Sequence, residues 1–203
     1  MFRVEWTAQE VKPPAELDAL FEELQESIGM DGHCEFPVLC CAVRALEGWL
    51  SVARIVGFDD RDLVLCDADV IELLGGAAAT IETLACARPG LIELYPDPGA
   101  DYIVFDTGPE EVRLYRVPWT EAGTIDLQAP LPTHLNAYPM TTCGRTELIE
   151  HLQDLCRTFA RTAITNEPRL ASHEPLRRWS STGPARASGP STPNLPPESD
   201  QRP

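Results

Sequence analysis

Two aspartates directly follow a short apolar run in the middle of the chain, a pattern that can support chemistry. The run Leu63–Cys66 predicts a buried strand, and Asp67 and Asp69 stand at its end in the sequence LVLCDAD. Two carboxylates delivered together by a strand can hold a divalent cation or move a proton in phosphate-handling enzymes. The same pattern also suits a strand that ends at a turn, because aspartate favours turns and helix N-caps.

The segment resembles the first motif of the haloacid-dehalogenase-like phosphotransferases, in which one aspartate attacks phosphorus and a second acts as acid and base. That resemblance implies Asp67 as the nucleophile and Asp69 as the proton shuttle. It further implies that Asp97 and Asp101 would stand in for the magnesium-binding acids of that family. The fold that the resemblance implies is a parallel sheet with alternating helices.

The sequence departs from this family pattern at several positions. Ile71 stands where the family has Thr or Val, and the only lysine, Lys12, lies upstream of the motif instead of downstream. The antiparallel strands predicted below also disagree with a parallel sheet. Because short motifs alone are weak signals, we interpret Asp67 and Asp69 as a turn or helix cap, and we assign no catalytic residue.

Cys143 is the second candidate for chemistry. It lies just before a predicted helix whose dipole would lower the thiol pKa, and His134 or His151 would be its base. Without a base fixed beside it, we interpret this thiol as unreactive. The stretch HCEFPVLCC, residues 33–41, lacks the Cys-x2-Cys spacing of zinc sites, so no metal and no cofactor are predicted.

The chain is strongly acidic, with 32 acidic residues against 16 basic ones and a net charge of −16. Residues 165–203 carry five arginines and four acids, which leaves a net charge of −17 on residues 1–164. Such a body repels nucleic-acid phosphates and anionic membranes, so neither is expected as a partner. It attracts basic proteins and accelerates their encounter, so a basic protein partner is expected.

Acidic side chains near aromatic ones suit the capture of a basic partner. The residues that we predict to bind it are Asp59, Asp60, Asp62, Asp67, Asp69, Glu110, Glu111 and Trp119. The resulting hypothesis is a non-catalytic protein-binding module, in its most specific form an immunity or antitoxin protein that plugs a nuclease-type toxin. The alternatives are an enzyme centred on Asp67/Asp69 or Cys143, and a structural subunit of a larger assembly.

The fold class predicted from the sequence is α+β, a single domain with a largely antiparallel sheet packed by two or three helices. Apolar periodicity predicts helices at 16–28 and 147–164, the second capped by Thr146. β-Rich runs joined by short turns predict an antiparallel meander. Its strands are 91–95, 102–106 and 112–117, and residues 2–7 could add another.

Three further segments complete the predicted organisation. Residues 36–58 fit either a helix or a hairpin turning at Glu47-Gly48, and their β-rich composition favours the hairpin. Gly75-Gly76 is expected to separate a short helical turn from a helix at 77–87. The domain is predicted to span 1–165, and the Pro/Ser-rich tail 166–203 to be disordered, so that its removal leaves stability unchanged.

The N-terminus and the cysteines indicate a compartment. The first ten residues, MFRVEWTAQE, lack an apolar export segment. The chain has seven cysteines, an odd number that favours reduced thiols over a disulfide framework. A cytoplasmic location is therefore expected.

Overall fold

Seven strands form two antiparallel sheets in the described part of the chain. The computed structural model describes residues 2–7, 18–19, 21–24, 26, 35–46, 52–58, 61–96 and 100–181. The first sheet has the strand order β1–β2–β3, with β1 at Arg3–Thr7, β2 at Val52–Val56 and β3 at Leu63–Leu65. The second has the order β4–β5–β6–β7, with β4 at Gly90–Ile92, β5 at Asp101–Thr107, β6 at Glu111–Pro118 and β7 at Met140–Gly144. The predicted meander and the N-terminal strand are confirmed.

Helices pack against both sheets and complete the predicted α+β fold. The described helical residues of α1 are 18–19, 21–24 and 26, which lie within the predicted helix 16–28. The other helices are α2 (Glu35–Ala45), α3 (Asp67–Ala85), α4 (Trp119–Ala122), α5 (Arg145–Asn166) and α6 (Leu176–Ser181). The predicted helix at 147–164 is confirmed as α5, although Gly144 and not Thr146 occupies its N-cap position.

One apolar core lies between the two sheets and helices α2, α3 and α5. Strand β2 shows how the sequence builds it, because Ala53 and Ile55 point into the core while Arg54 between them points out. Phe105 of β5 and Phe159 of α5 are fully buried in the same cluster. A smaller apolar cluster covers the opposite face of the second sheet, where the chain after β6 packs on Val104.

The hairpin favoured at 36–58 is wrong in its first half, because residues 35–45 form helix α2. The helical stripe of Leu39, Val43 and Leu46 is buried at 1% exposure or less. Burial of that stripe against α3 and α5 outweighs the β propensity of the individual residues. Residues 47–51, which include the predicted turn, lie outside the described part of the chain.

The predicted break at Gly75-Gly76 is also wrong, because α3 runs without interruption from Asp67 to Ala85. Both glycines lie on the exposed side of the helix, and Leu74 and Ala77 beside them are buried. Each glycine costs about 1 kcal/mol relative to alanine in a helix. Packing of the buried flank is enough to offset this cost.

The packed body extends beyond residue 165, so the predicted domain boundary is too early. A 3₁₀ turn at Pro168–Ser172 and helix α6 follow α5, and Leu170, Leu176 and Trp179 are buried in the main core. Arg169 stacks over the ring of Phe21 on α1, with 4.2 Å between its guanidinium carbon and the ring centroid. Residues 182–203, the rest of the predicted tail, lie outside the described part of the chain.

Candidate functional site

The Asp-x-Asp segment forms the start of helix α3. Strand β3 ends at Leu65, Cys66 is the N-cap, and the helix begins at Asp67. Asp69 Oδ2 accepts a hydrogen bond of 2.8 Å from the Cys66 N–H, and Asp69 Oδ1 accepts one of 2.9 Å from the Tyr95 N–H. Asp69 therefore satisfies an otherwise free backbone donor at the helix start and fixes that start to the chain after β4. This geometry agrees with the interpretation of Asp69 as a helix cap.

The phosphotransferase-like arrangement is not assembled in the described residues. Strand β3 pairs antiparallel with β2, whereas the resemblance implies a parallel sheet. Asp101 accepts a hydrogen bond of 2.6 Å from Nε of Arg116 and is committed to that ion pair. Asp97 lies outside the described residues, and no group of three or more metal-ligating side chains occurs among those that the structure describes.

An acidic surface with two tyrosines surrounds the start of α3. We call this surface the acidic patch and define it by Asp69, Glu72, Glu93, Tyr95 and Tyr102. Asp67 lies two positions before Asp69, on a different side of the helix. The patch is held together by two contacts between elements. The hydrogen bond from Tyr95 to Asp69 joins the segment after β4 to the helix. The packing of α3 on β4 brings the carboxylates of Glu72 and Glu93 towards Tyr102.

The pKa of Tyr102 shows that two patch carboxylates lie close to its hydroxyl. The pKa of Tyr102 is raised by burial of its hydroxyl, and then by the negative charges of Glu93 and Glu72. Tyr95 is 48% exposed, and among the described aromatic side chains Phe36 is the other one that is largely exposed. Within the described ranges, none of the three patch carboxylates forms an ion pair with a lysine or arginine, and both oxygens of Asp69 already accept backbone hydrogen bonds.

The other predicted binding residues are distributed over separate places. Asp62 pairs with Arg54 at 3.1 Å, and Arg54 also pairs with Glu5, so the two carboxylates share one positive charge. Asp59 and Asp60 lie outside the described part of the chain.

Glu110 and Glu111 lie at the turn between β5 and β6, in a cleft of about 480 Å³. That turn follows Thr107, the far end of β5 from Tyr102, and five residues of strand place it roughly 17 Å from the acidic patch. Glu110 and Glu111 therefore belong to a different surface.

Trp119 lies at the same end of the second sheet as the acidic patch. It begins α4 immediately after β6, and its N–H donates a hydrogen bond of 3.1 Å to the carbonyl of Ala100. Its side chain is half-buried. The structure therefore places Trp119 near the start of β5, within the region from which Tyr102 also projects.

Comparison with protein-family models, with characterised proteins and with solved structures gives no match. No helix among the described residues combines the length and the apolar character needed to cross a membrane.

Cys143 does not have the environment of a catalytic thiol. Burial, and then the charge of Glu147, raise its pKa to about 11, contrary to the lowering expected from the helix dipole. His151 lines the same cleft, but its Nε2 accepts a hydrogen bond from the Val4 backbone and is not free to act as a base. His134 is elsewhere, with its Nε2 2.9 Å from Glu121. The desolvation that α5 imposes on Cys143 was not visible from the residue order.

Sequence reasoning missed Glu93, Tyr95 and Tyr102 as parts of the site. A signal was present, because Tyr95 and Tyr102 flank the turn sequence PDPGAD between two predicted strands. A tight antiparallel turn brings the residues at its two ends together. The contribution of α3 to the same surface could not be read in this way, since it depends on how the helix packs on β4.

Proposed function

We propose that the protein binds a basic protein partner through the acidic patch and acts by stoichiometric capture. The observation that supports this proposal is the grouping of three carboxylates, none of them in a described ion pair, around Tyr95 and Tyr102. Asp62 provides the contrast within the same molecule, because it already forms an ion pair with Arg54.

An arginine side chain has the chemistry that fits this surface. Its planar guanidinium stacks on an aromatic ring and donates hydrogen bonds in a fixed fork to carboxylates. The exposed ring of Tyr95 offers the stacking face, and Glu93, two residues before it, is an exposed acceptor. Tyrosine and arginine are also residues that contribute most of the binding energy at protein interfaces.

The most specific form of the proposal is an immunity or antitoxin protein for a nuclease-type toxin. Toxins of this kind bind nucleic-acid phosphates through a basic site, and an acidic patch can imitate those phosphates. The strong negative charge of the chain would also accelerate association with such a partner. The six cysteines within the described residues carry free thiols. Action in the cytoplasm is part of the proposal, since reduced thiols suit that compartment.

Differential capture from an extract of the native host tests the proposal. The tagged protein is compared with a patch variant that carries Glu72→Gln, Glu93→Gln and Tyr95→Ala. Asp69 is left intact, because it caps α3. We expect the wild-type protein to retain a small basic protein at low salt, to release it at about 0.5 M salt, and the patch variant to bind it roughly tenfold or more weakly.

A matched control separates this surface from the general acidity of the chain. The variant Glu110→Gln/Glu111→Gln removes two negative charges, as the patch variant does, but at the other end of the sheet. It should retain the partner with nearly wild-type affinity. Equal weakening by both variants would mean that net charge and not the patch drives binding, and equal retention by both would contradict the proposed site.

A further inference from the structure

His151 of helix α5 forms a hydrogen bond with the edge strand of the first sheet. Strand β1 lies at the edge of that sheet, and the Val4 N–H donates a hydrogen bond of 2.9 Å to Nε2 of His151 on α5. Val4 pairs with Ile55 of β2. Its N–H points away from β2 and towards His151, as the N–H of a residue in a non-hydrogen-bonded antiparallel pair does. Trp6, two residues further along β1, packs with its ring centroid 6.3 Å from that of Phe159 on α5. Strand β1 is thus held between β2 and α5.

The Val4–His151 hydrogen bond requires a neutral imidazole. Nε2 can accept a hydrogen bond only when it carries no proton, which places the proton of the neutral ring on Nδ1. A protonated imidazole donates from both nitrogens. The N–H of Val4 and a protonated Nε2 would then be two donors facing one another, and the contact could not persist.

The surroundings of His151 include charges of both signs. The ring lies in a cleft of about 320 Å³ that also presents Arg3 from β1, Cys143 from β7, and Glu147, Glu150 and Asp154 from α5. The pKa of His151 is lowered from its ordinary value by burial and then by Arg3, while Asp154 and Glu147 act in the opposite direction. Cys143 is an uncharged thiol near neutral pH, because its pKa is raised to about 11.

We propose that His151 is a pH-sensitive latch, which holds the edge of β1 closed when neutral and releases it when protonated. Because the pKa in the closed state is lowered, the open state takes up the proton first as the pH falls below about 6.5. The closed latch is therefore fully stable above that pH and loses stability below it. Release exposes an unpaired N–H on an edge strand, which is a template for pairing with another strand.

Amide hydrogen exchange measured by NMR on the full chain tests the latch. Protection of the Val4 amide, corrected for intrinsic exchange, is compared at about pH 7.5 and about pH 5. Loss of one ordinary hydrogen bond should reduce its protection about fivefold at the lower pH. In His151→Gln the side-chain oxygen can accept the same hydrogen bond and does not titrate, so protection should stay constant. His134→Gln, which alters a histidine remote from β1, should behave as the wild type does.

Two results would overturn the proposal. One is protection of the Val4 amide in the wild type that does not change with pH, and the other is an equal loss in His151→Gln. If His151→Gln fails to fold, the ¹⁵N shifts of the wild-type imidazole decide. The latch requires a neutral ring protonated on Nδ1 that titrates below about 6.5, together with the Val4 amide. Titration at or above that pH, or a Val4 amide that does not follow it, would exclude the latch.

Discussion

Arg116 and Asp101 form a nearly buried ion pair, with Arg116 Nε 2.6 Å from Asp101 Oδ2 and exposures of 4% and 17% for the two side chains. Both residues lie at one end of the second sheet, on β6 and β5. Arg116 also donates from its Nη1 to the carbonyl of Arg61, at 3.2 Å, just before β3 of the first sheet. The ion pair therefore links the two sheets beside the acidic patch, and it explains why an arginine is buried in so acidic a molecule.

Breaking this pair from one side should be strongly destabilising. Arg116→Met leaves the carboxylate of Asp101 without its described partner, and loss of one member of a buried pair costs about 3–5 kcal/mol. Arg116→Met/Asp101→Leu removes both charges and should recover most of that loss. Urea unfolding of the two variants and of Asp101→Leu gives the coupling free energy. Additive losses would show that the two charges do not depend on each other.

Gly90 should be intolerant of alanine, although it lies in an ordinary strand. It faces Phe105 across β4 and β5, and a Cβ at Gly90 would lie 2.3 Å from Cζ of the fully buried Phe105 ring. We expect Gly90→Ala to lower the free energy of unfolding by about 1–3 kcal/mol, because the core must shift.

Gly76→Ala is the matched control for that substitution. A Cβ at Gly76 meets nothing within 4 Å, and the residue lies inside helix α3. Alanine there should raise the free energy of unfolding by about 0.5–1 kcal/mol, since it reduces the entropy lost on folding. Equal effects of the two substitutions in urea unfolding would contradict the packing of Phe105 on Gly90.

Two truncations should differ sharply in stability. Ending the chain after Ser181 removes none of the described contacts, so the melting temperature should change little. Ending it after Asn166 removes three side chains from the main core, Leu170, Leu176 and Trp179. Each contributes about 2 kcal/mol, and their sum is comparable to the whole stability of an ordinary domain. Calorimetry of both chains checks this, and similar melting temperatures would show that 167–181 is dispensable.

Cys143 should react slowly with alkylating reagents at neutral pH. With a pKa raised to about 11, its thiolate fraction at pH 7 is about 10⁻⁴. The rate with iodoacetamide should rise about tenfold for each pH unit, measured by mass spectrometry of the Cys143 peptide. The exposed Cys86 serves as an internal reference in the same digest. Faster labelling of Cys143 than of Cys86 at pH 7 would restore the thiol as a catalytic candidate.

Local patterns predicted the elements whose neighbours in sequence are also neighbours in space. The meander was predicted because turn sequences such as TGPEE, between β5 and β6, are too short to allow anything but antiparallel pairing of the strands they join. Helix α5 was predicted because its stripe of Leu148, Leu152, Leu155 and Phe159 has helical spacing and is long enough to exclude a strand. The cap formed by Asp69 is a local contact with Cys66, and it was predicted for the same reason.

The segments that were wrongly predicted are those whose conformation depends on distant residues. The helix at Glu35–Ala45 forms because α3 and α5 bury its apolar stripe, and no residue within the segment reports that burial. Residues 167–181 have the composition of a disordered tail. Helix α5 nevertheless ends close to the main core, and Leu170, Leu176 and Trp179 are buried in it.

The sequence by itself determined the α+β class, the meander, the long helix α5 and the acidity of the chain, because each follows from local spacing or from composition. Only the tertiary structure decided which carboxylates form ion pairs with arginines. It paired Asp101 with Arg116 and Asp62 with Arg54, and it left Glu93 without an ion pair among the described residues. The physical reason is that a charge is compensated by whatever packing brings within a few ångströms of it, and packing joins residues far apart in the chain.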